Sequence, residues 1–170
     1  MKLMQSFRYI ERYRFVIQTI TIEKATEHVK GKLSLKRFTH TLGVVEMAKK
    51  LARTYHVDET QAHMAALLHD VMKESPLQEM QDMVKEGHIE VDQEMLNNGA
   101  LLHGPAGAAY AKVRLQIEDR DICEAICVHT LGSTSMSILD KIIFLSDYIE
   151  PNRNFPGVDE LRQLAFIDLN

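Results

Sequence analysis

The sequence predicts an all-α protein folded as a single helical bundle. Helix start signals, such as serine or aspartate ahead of an apolar stretch, recur along most of the chain, and no run of residues alternates as a half-buried strand would. No repeat period and no linker divides the chain. With 170 residues, 45% of them hydrophobic, the chain is long enough to bury a substantial core as one domain.

The first half of the chain predicts four helices after a basic and aromatic segment. We divide the chain into an N-terminal extension, 1–20, and a folded domain, 21–170. The predicted helices are 21–32, ended by Gly31; 34–56, capped by Ser34; 58–68, capped by Asp58; and 77–85, which follows Ser75-Pro76 and ends at Gly87. The second of these helices carries an apolar stripe of Phe38, Leu42, Val45, Met47 and Leu51.

The second half of the chain predicts five further helical segments. They are a short turn at 92–97, a small-residue helix that Pro105 opens, and helices at 119–129, 138–149 and 158–170. The start signal for the helix 138–149 is Ser135 or Met136, and Pro151 stops it. The helix 158–170 reaches the last residue without a stop signal. The small residues after Pro105 allow a close approach between helices.

Charge and cysteine content exclude several classes of protein. The net charge of −4 argues against broad electrostatic binding to nucleic acid. No apolar run approaches the roughly 20 residues that span a bilayer, and the N-terminus does not have the pattern of a signal peptide. Cys123 and Cys127 lie four residues apart, which predicts buried free thiols on one helix face and a reducing, cytoplasmic location.

The segment 65–73, AALLHDVMK, carries an adjacent histidine and aspartate into what should be the protein interior. A buried carboxylate is costly unless it is paired or bound to a metal. Neighbouring helical residues point about 100° apart, so His69 and Asp70 reach one site only where a helix borders a pocket. The pair therefore predicts a polar cavity lined by helices.

Other histidines and one more aspartate are candidates for the same cavity. Asp147 lies in the apolar sequence IIFLSDYI, where a lone ionised carboxylate would be costly. The candidate metal ligands are His40, His69, Asp70, His103, His129 and Asp147. These types suit iron, manganese or zinc, and Asp70 is the natural bridge between two ions about 3.5–4 Å apart. For His103 and His129 the alternative is a core or capping histidine; the remaining histidines (His28, His56, His63 and His88) are expected at the surface.

The order of these residues resembles the HD-domain superfamily of metal-dependent phosphohydrolases. The strings HTLGVVEMAKKLA, AALLHDVMKE, LLHGPAGA, VHTLG and SILDKIIFLSDYIEPNRNFPGVDELRQLA further resemble the YqeK-type proteins, which hydrolyse diadenosine tetraphosphate symmetrically to two ADP. The similarity extends over residues 33–165. Before residue 21 the chain departs from the pattern, and Met72 stands where a small residue is expected.

The resemblance implies a dinuclear centre that binds two divalent metal ions. The ions would be iron, although the ligands would also accept manganese or another divalent ion. The implied ligands are His40, His69, Asp70 and Asp147 for one ion, and Asp70, His103 and His129 for the other. The implied reaction is attack of a metal-bound hydroxide on phosphorus, with the ions neutralising charge on the phosphate oxygens.

Three further residues are candidates for the substrate site. Lys73 lies three residues beyond Asp70 and can project from the same face, in a catalytic or a substrate-binding role. Arg153 follows the helix of Asp147 and is a candidate for a bidentate phosphate contact. Thr130 could line the pocket. For Lys73 and Arg153 the alternative is a solvated cation near a helix end.

Three functions remain open from the sequence. The first is hydrolysis of diadenosine tetraphosphate or a related dinucleoside polyphosphate. The second keeps the same chemistry on another nucleotide, such as a deoxynucleotide or an alarmone. The third is a non-catalytic helical module that a metal stabilises. An apolar face on the first helix would also support a homodimer.

Overall fold

The computed structural model describes residues 20–170, and within that range it contains nine helices and no strand, which confirms the all-α prediction. The helices are α1 (Ile22–Lys32), α2 (Leu35–Thr54), α3 (Glu59–Leu68), α4 (Leu77–Glu86), α5 (Gln93–Leu96), α6 (Gly99–Arg114), α7 (Arg120–Val128), α8 (Ile138–Ile149) and α9 (Val158–Ala165). The extension predicted before residue 21 falls almost wholly outside the described residues. None of the described helices is both long and apolar enough to cross a membrane.

Side-chain caps fix where several helices begin, as the sequence predicts. Ser34 accepts a hydrogen bond from the Arg37 amide, and Asp58 accepts from the amides of Thr60 and Gln61. Asp119 caps α7 in the same way. Each cap satisfies amides that the first helical turn leaves unpaired and stabilises the helix by about 1 kcal/mol.

The core lies around α3, which packs against α1, α2, α7 and α8. Its last four residues (Ala65, Ala66, Leu67 and Leu68) are completely buried, so α3 delivers the residues that follow it directly into the interior. Helix α2 packs against α8, and α6 packs against α7. The carboxyl ends of α3, α7 and α8 and the first halves of α2 and α6 therefore converge on one region of the bundle.

Glycines let α6 and α7 approach closely, as predicted from the small residues. A Cβ atom on Gly104 would lie 2.8 Å from the Cys127 carbonyl oxygen, which is closer than real contacts allow. A Cβ atom on Gly107 would lie 3.2 Å from the Ile126 side chain. This close approach brings His103, on α6, beside the residue that follows α7.

Pro105 does not open a helix, which corrects the sequence prediction. It lies inside α6, whose first residue is Gly99 and whose cap is Asn98, accepting from the Ala100 amide. Proline has no amide hydrogen, so the carbonyl four residues earlier loses one intrahelical bond. Burial of the small residues on both sides of Pro105 compensates for that loss.

Four other local predictions are wrong. Gly31 lies inside α1, and α8 begins after Ser137, whose capping box with Asp140 supersedes Ser135 and Met136. Leu42 is 45% exposed because the buried face of α2 centres on Val44 and Ala48. The last helix ends at Ala165 and is followed by a turn in which Asp168 accepts from the Asn170 amide.

The two cysteines are free, as predicted, but both are half-buried rather than fully buried. Burial raises the pKa of the Cys127 thiol to about 11, so that group is a neutral thiol at physiological pH. Cys127 is therefore a poor nucleophile and packs as a small apolar side chain.

Candidate metal centre

All six predicted ligand candidates meet at one place in the bundle. Helices α2, α6 and α8 present His40, His103 and Asp147, while His69 and His129 occupy the C-cap positions of α3 and α7 and Asp70 follows His69. The four residues at the centre of the cluster are almost fully buried: His69, Asp70, His103 and His129. His40 and Asp147 are less enclosed, with 11% and 26% of their side chains exposed. The cluster is thus open on the side of Asp147.

Asp70 is the hub of this cluster because its two carboxylate oxygens face different histidines. Its Oδ1 lies 3.3 Å from His103 Nε2 and 3.8 Å from His129 Nε2. Its Oδ2 lies 3.3 Å from His69 Nε2 and 3.7 Å from His40 Nε2. A carboxylate placed this way can bind one cation with each oxygen.

Asp147 joins the group on the Oδ2 side of Asp70. Its Oδ1 lies 3.0 Å from His40 Nε2 and 3.9 Å from His69 Nε2. The donor atoms of His40, His69 and Asp147 all lie within 4.8 Å of one another, and so do those of His69, Asp70 and His129. His103 Nε2 lies 3.0 Å from His129 Nε2 and completes the Oδ1 side.

Backbone contacts orient two of the imidazoles towards the centre. His69 Nδ1 lies 2.6 Å from the Ala66 carbonyl oxygen, and His129 Nδ1 lies 2.8 Å from the Ile126 carbonyl oxygen. Because a carbonyl only accepts, each Nδ1 must carry the hydrogen, which leaves Nε2 with a lone pair directed at the centre. Carbonyl contacts of this kind typically fix metal-ligating histidines.

Two nitrogens in the centre have unmet bonding capacity. His40 Nε2 and His69 Nε2 are buried, and although carboxylate oxygens lie 3.0 Å and 3.3 Å away, neither nitrogen forms a hydrogen bond among residues 20–170. A buried polar atom without a partner is costly, and an imidazole lone pair beside two carboxylates is matched by a divalent cation. The donor set therefore fits a metal site.

The charge states of Asp70, Asp147 and His129 also favour cation binding. Burial alone would raise the pKa of Asp70, but the imidazoles of His69 and His103 hold it well below its ordinary value. Burial alone would also raise the pKa of Asp147, but the imidazoles of His40 and His69 hold it below its ordinary value. Burial and the neighbouring histidines lower the pKa of His129 to about 3, so at neutral pH His129 is the uncharged form that ligates metals.

The three predicted substrate residues border the cluster. Lys73 Nζ lies 3.2 Å from His103 Nε2, and burial lowers the pKa of its amine. Thr130 Oγ1 lies 3.2 Å from both His103 Nε2 and His129 Nε2. Arg153 donates from Nη2 to Asp147 Oδ1 over 3.0 Å and from Nε to the Asp147 carbonyl oxygen over 3.1 Å. The side chains of Lys73, Thr130 and Arg153 are thus within reach of a group bound at the centre.

The sequence analysis missed Arg37, which donates from Nη1 to Asp70 Oδ2 over 2.8 Å. Its side chain is 30% exposed while the carboxylate is buried, so the guanidinium connects the centre with solvent. A signal was available, because Arg37 lies three residues before His40 and therefore on the same face of α2.

Glu150 was also missed, although it supports His40 directly. This carboxylate is buried, and its Oε1 lies 3.2 Å from His40 Nδ1. Its Oε2 accepts from the Asn152 amide over 2.7 Å and from Asn152 Nδ2 over 3.0 Å. A Cβ atom on Gly43 would collide with Oε2, so this glycine leaves the space that Glu150 occupies. The signal was the spacing of three residues from Asp147.

The four histidines predicted at the surface divide into two pairs. His56 and His88 are exposed, as expected. His28 and His63 are half-buried, which corrects the prediction, and His28 Nε2 is hydrogen bonded to the Tyr110 hydroxyl over 2.7 Å. The tyrosine hydroxyl satisfies the ring nitrogen, which explains how His28 is tolerated away from solvent.

Comparison with known proteins shows which family and which relatives the chain is similar to. The family model described as HD domain matches residues 37–152. A protein of Halalkalibacterium halodurans named bis(5'-nucleosyl)-tetraphosphatase, symmetrical, is 46% identical over 86% of this chain and 78% of its own length. The protein of that name from Bacillus subtilis is 40% identical over 87% of this chain and 79% of its own.

A solved structure is similar as well. It is the crystal structure of a predicted HD superfamily hydrolase involved in NAD metabolism from Clostridium acetobutylicum, which is 41% identical in sequence. The TM-score is 0.84, and the match covers 89% of this chain and 80% of the other. The overall fold is therefore shared with an experimentally determined structure.

Proposed function

Because this chain belongs to the HD domain family and, within it, to the YqeK-type symmetrical bis(5'-nucleosyl)-tetraphosphatases, we propose that it hydrolyses diadenosine tetraphosphate to two molecules of ADP. One observation carries the proposal, namely that the two oxygens of the buried Asp70 face separate pairs of histidines. Such a carboxylate can bridge two divalent ions, and paired ions are suited to hydrolysis of phosphate esters and anhydrides.

The proposed ligands divide between the two sides of Asp70. The Oδ2 side would hold one ion through His40, His69, Asp70 and Asp147, and the Oδ1 side would hold the other through Asp70, His103 and His129. We propose iron for both, following the family resemblance, and these ligand types also accept manganese. When bound, such ions supply the Lewis acidity that activates water and neutralises charge on phosphoryl oxygens.

Three cationic side chains of the chain are placed to hold the phosphates. Arg37 and Arg153 each donate to a carboxylate of the centre from the more exposed side, and Lys73 lies beside His103. A tetraphosphate chain carries several negative charges, and guanidinium groups bind phosphate oxygens with two parallel hydrogen bonds. We propose that these three residues position the phosphates and that Thr130 donates a further hydrogen bond.

Symmetrical cleavage fixes which bond must lie at the centre. Water oxygen forms a bond to the second phosphorus of the chain, the bridging oxygen between the second and third phosphorus atoms leaves with its electron pair, and one proton returns to that oxygen. Each product is then ADP. The cations on the rim must therefore hold the middle of the tetraphosphate rather than its ends.

The location of the protein and its oligomeric state are separate from the metal centre. We propose a reducing cytoplasmic location because Cys123 and Cys127 are both free thiols. The homodimer stays a prediction from the sequence, to be checked by measuring the mass of the protein in solution.

A substrate comparison tests the proposed function against hydrolysis of another nucleotide. With manganese added, kcat/KM is measured for diadenosine tetraphosphate, a deoxynucleoside triphosphate and a guanosine alarmone. We expect the dinucleotide to be preferred by about 100-fold or more, because the mononucleotides lack half of the binding contacts. A preferred mononucleotide would support the alternative substrate class, and no turnover at all would support a metal-stabilised module.

Replacing Arg37 by alanine is expected to lower kcat/KM for diadenosine tetraphosphate by about 10–100-fold, the range for losing one charge-assisted phosphate contact. Lys36→Ala, which changes the adjacent and exposed cation, serves as the matched control and should leave the rate within about twofold. Equal effects of the two substitutions would show that Arg37 acts only through net charge.

Replacing Glu150 by alanine is expected to weaken metal binding by about 10–100-fold, because His40 loses the carboxylate that orients its ring. The measurement is competition for manganese with a coloured chelator, which needs no turnover. Glu150→Gln keeps a hydrogen-bond acceptor and should recover most of the affinity. Gly43→Ala should resemble the alanine variant, because its methyl group displaces Glu150. Unchanged manganese affinity in all three variants would show that Glu150 does not support metal binding through His40.

A further inference from the structure

A mainly apolar cavity of about 180 Å³ adjoins the metal centre on the side of His129. It lies between the loop before α5, helix α6 and the segment that follows α7. Apolar side chains dominate its walls: Val91, Met95, Leu101, Pro105, Val128 and Leu131. The polar side chains in its lining are Thr130 and Glu90, with the neutral thiol of Cys127.

Thr130 connects this cavity with the metal centre. Its side chain lines the cavity, while its hydroxyl lies 3.2 Å from Nε2 of both His103 and His129. The cavity and the metal centre therefore adjoin each other across the Thr130 side chain. Arg37 and Arg153 border the Asp70 Oδ2 and Asp147 part of the centre, where the ligand meets charge.

The rim of the cavity exposes a large apolar side chain. Leu131 is 57% exposed, and the left-handed conformation of Gly132 follows it directly. An exposed leucine is ordinary by itself. Here it extends the apolar wall of a half-open cavity beside a polar centre, as in ligand sites where apolar walls hold one part of a molecule and a few polar groups hold another.

We propose that this cavity binds a purine ring of the substrate while the adjoining phosphates lie at the metal centre. The inference rests on the proposed function and adds to it a specificity pocket. A purine has two flat apolar faces that pack against aliphatic side chains and a polar edge that needs few hydrogen bonds. Glu90, at the exposed edge of the cavity, can accept a hydrogen bond from an exocyclic amino group. The more hydrophilic ribose matches these walls less well.

Equilibrium binding of ADP and of pyrophosphate, measured by calorimetry on the manganese-loaded protein, tests this pocket. Both ligands carry two phosphates, but only ADP carries the purine. The wild-type protein should bind ADP at least about tenfold more tightly. Leu131→Ala, which removes the rim contact, and Val91→Trp, which fills the cavity, should each reduce that preference to about twofold or less. Pyrophosphate affinity should stay within about twofold, because the phosphate site is untouched.

Leu164→Ala is the matched control, since Leu164 is 49% exposed on α9 and outside the cavity lining. Its preference for ADP should equal that of the wild type. Equal affinity of the wild type for both ligands, or failure to bind ADP, would overturn the pocket. So would retention of the full preference in both cavity variants. The result is independent of turnover, so a protein that binds ADP in this way but does not hydrolyse diadenosine tetraphosphate would refute the proposed function and not the pocket.

Discussion

The Asp70→Ala substitution is expected to lower kcat/KM for diadenosine tetraphosphate by at least about 10³-fold. This reduction is larger than the one that follows removal of a single hydrogen-bond donor to the transition state. Asp70 contacts four histidines, two with each oxygen. Removing it takes a ligand from both proposed ions and leaves Arg37 without its partner. The measurement is the initial rate of ADP formation, together with metal content by elemental analysis, which should fall below one ion per chain.

The control for this experiment is Asp140→Asn. Asp140 is as buried as Asp70 and lies two helical turns before Asp147. It takes part in the capping box with Ser137 at the start of α8. Its replacement should lower stability by about 1 kcal/mol and leave the rate per folded molecule unchanged. If Asp70→Ala kept both ions and most of its activity, the bridging role of this carboxylate would be wrong.

Metal binding is expected to stabilise the fold by a large amount. The centre brings imidazoles and carboxylates together in the interior, with the Nε2 atoms of His40 and His69 unpartnered within residues 20–170. A free metal concentration 100 times Kd stabilises by about 2.7 kcal/mol per ion. For a domain of this size each ion would raise Tm by about 5–10 °C, so two ions would raise it by about 10–20 °C. The measurement is thermal unfolding, followed by circular dichroism, with manganese or with a chelator.

The same unfolding experiment on His129→Ala provides the test of this account. His129 is nearly fully buried and belongs to the Oδ1 side, so its loss should remove the contribution of one ion and leave that of the other. His56→Ala, at an exposed position, should keep the full increase in Tm. A metal-independent Tm in the wild type would mean that the cluster does not bind divalent ions with useful affinity.

Local sequence signals predicted the helices well because most of those signals act within one turn. The predicted caps at Ser34 and Asp58 involve residues two or three positions apart, and their hydrogen bonds form as expected. The errors arose where tertiary packing decides. Pro105 stays inside α6 because its neighbours are buried, and Leu42 lies at the edge of the buried face of α2.

The ligand candidates could be chosen from the sequence because a charged group in an apolar stretch is costly to bury unless it is paired or binds a metal. Asp70 and Asp147 stand out in this way, and the structure brings both to one cluster. Arg37 and Glu150 lie near the ends of their apolar stretches, and only their spacing of three residues from His40 and from Asp147 points to the cluster. Their roles depend on contacts across 33 and 110 residues of chain, which periodicity does not report.

The products of diadenosine tetraphosphate hydrolysis show which phosphate bond lies at the metal centre. Purified protein supplied with iron or manganese is incubated with the dinucleotide, and the nucleotides are separated by chromatography. We expect ADP as the sole product, formed as two molecules per substrate consumed, and no ADP with Asp70→Ala. AMP together with ATP would mean asymmetric cleavage and would contradict the placement of the middle phosphates at the metal centre.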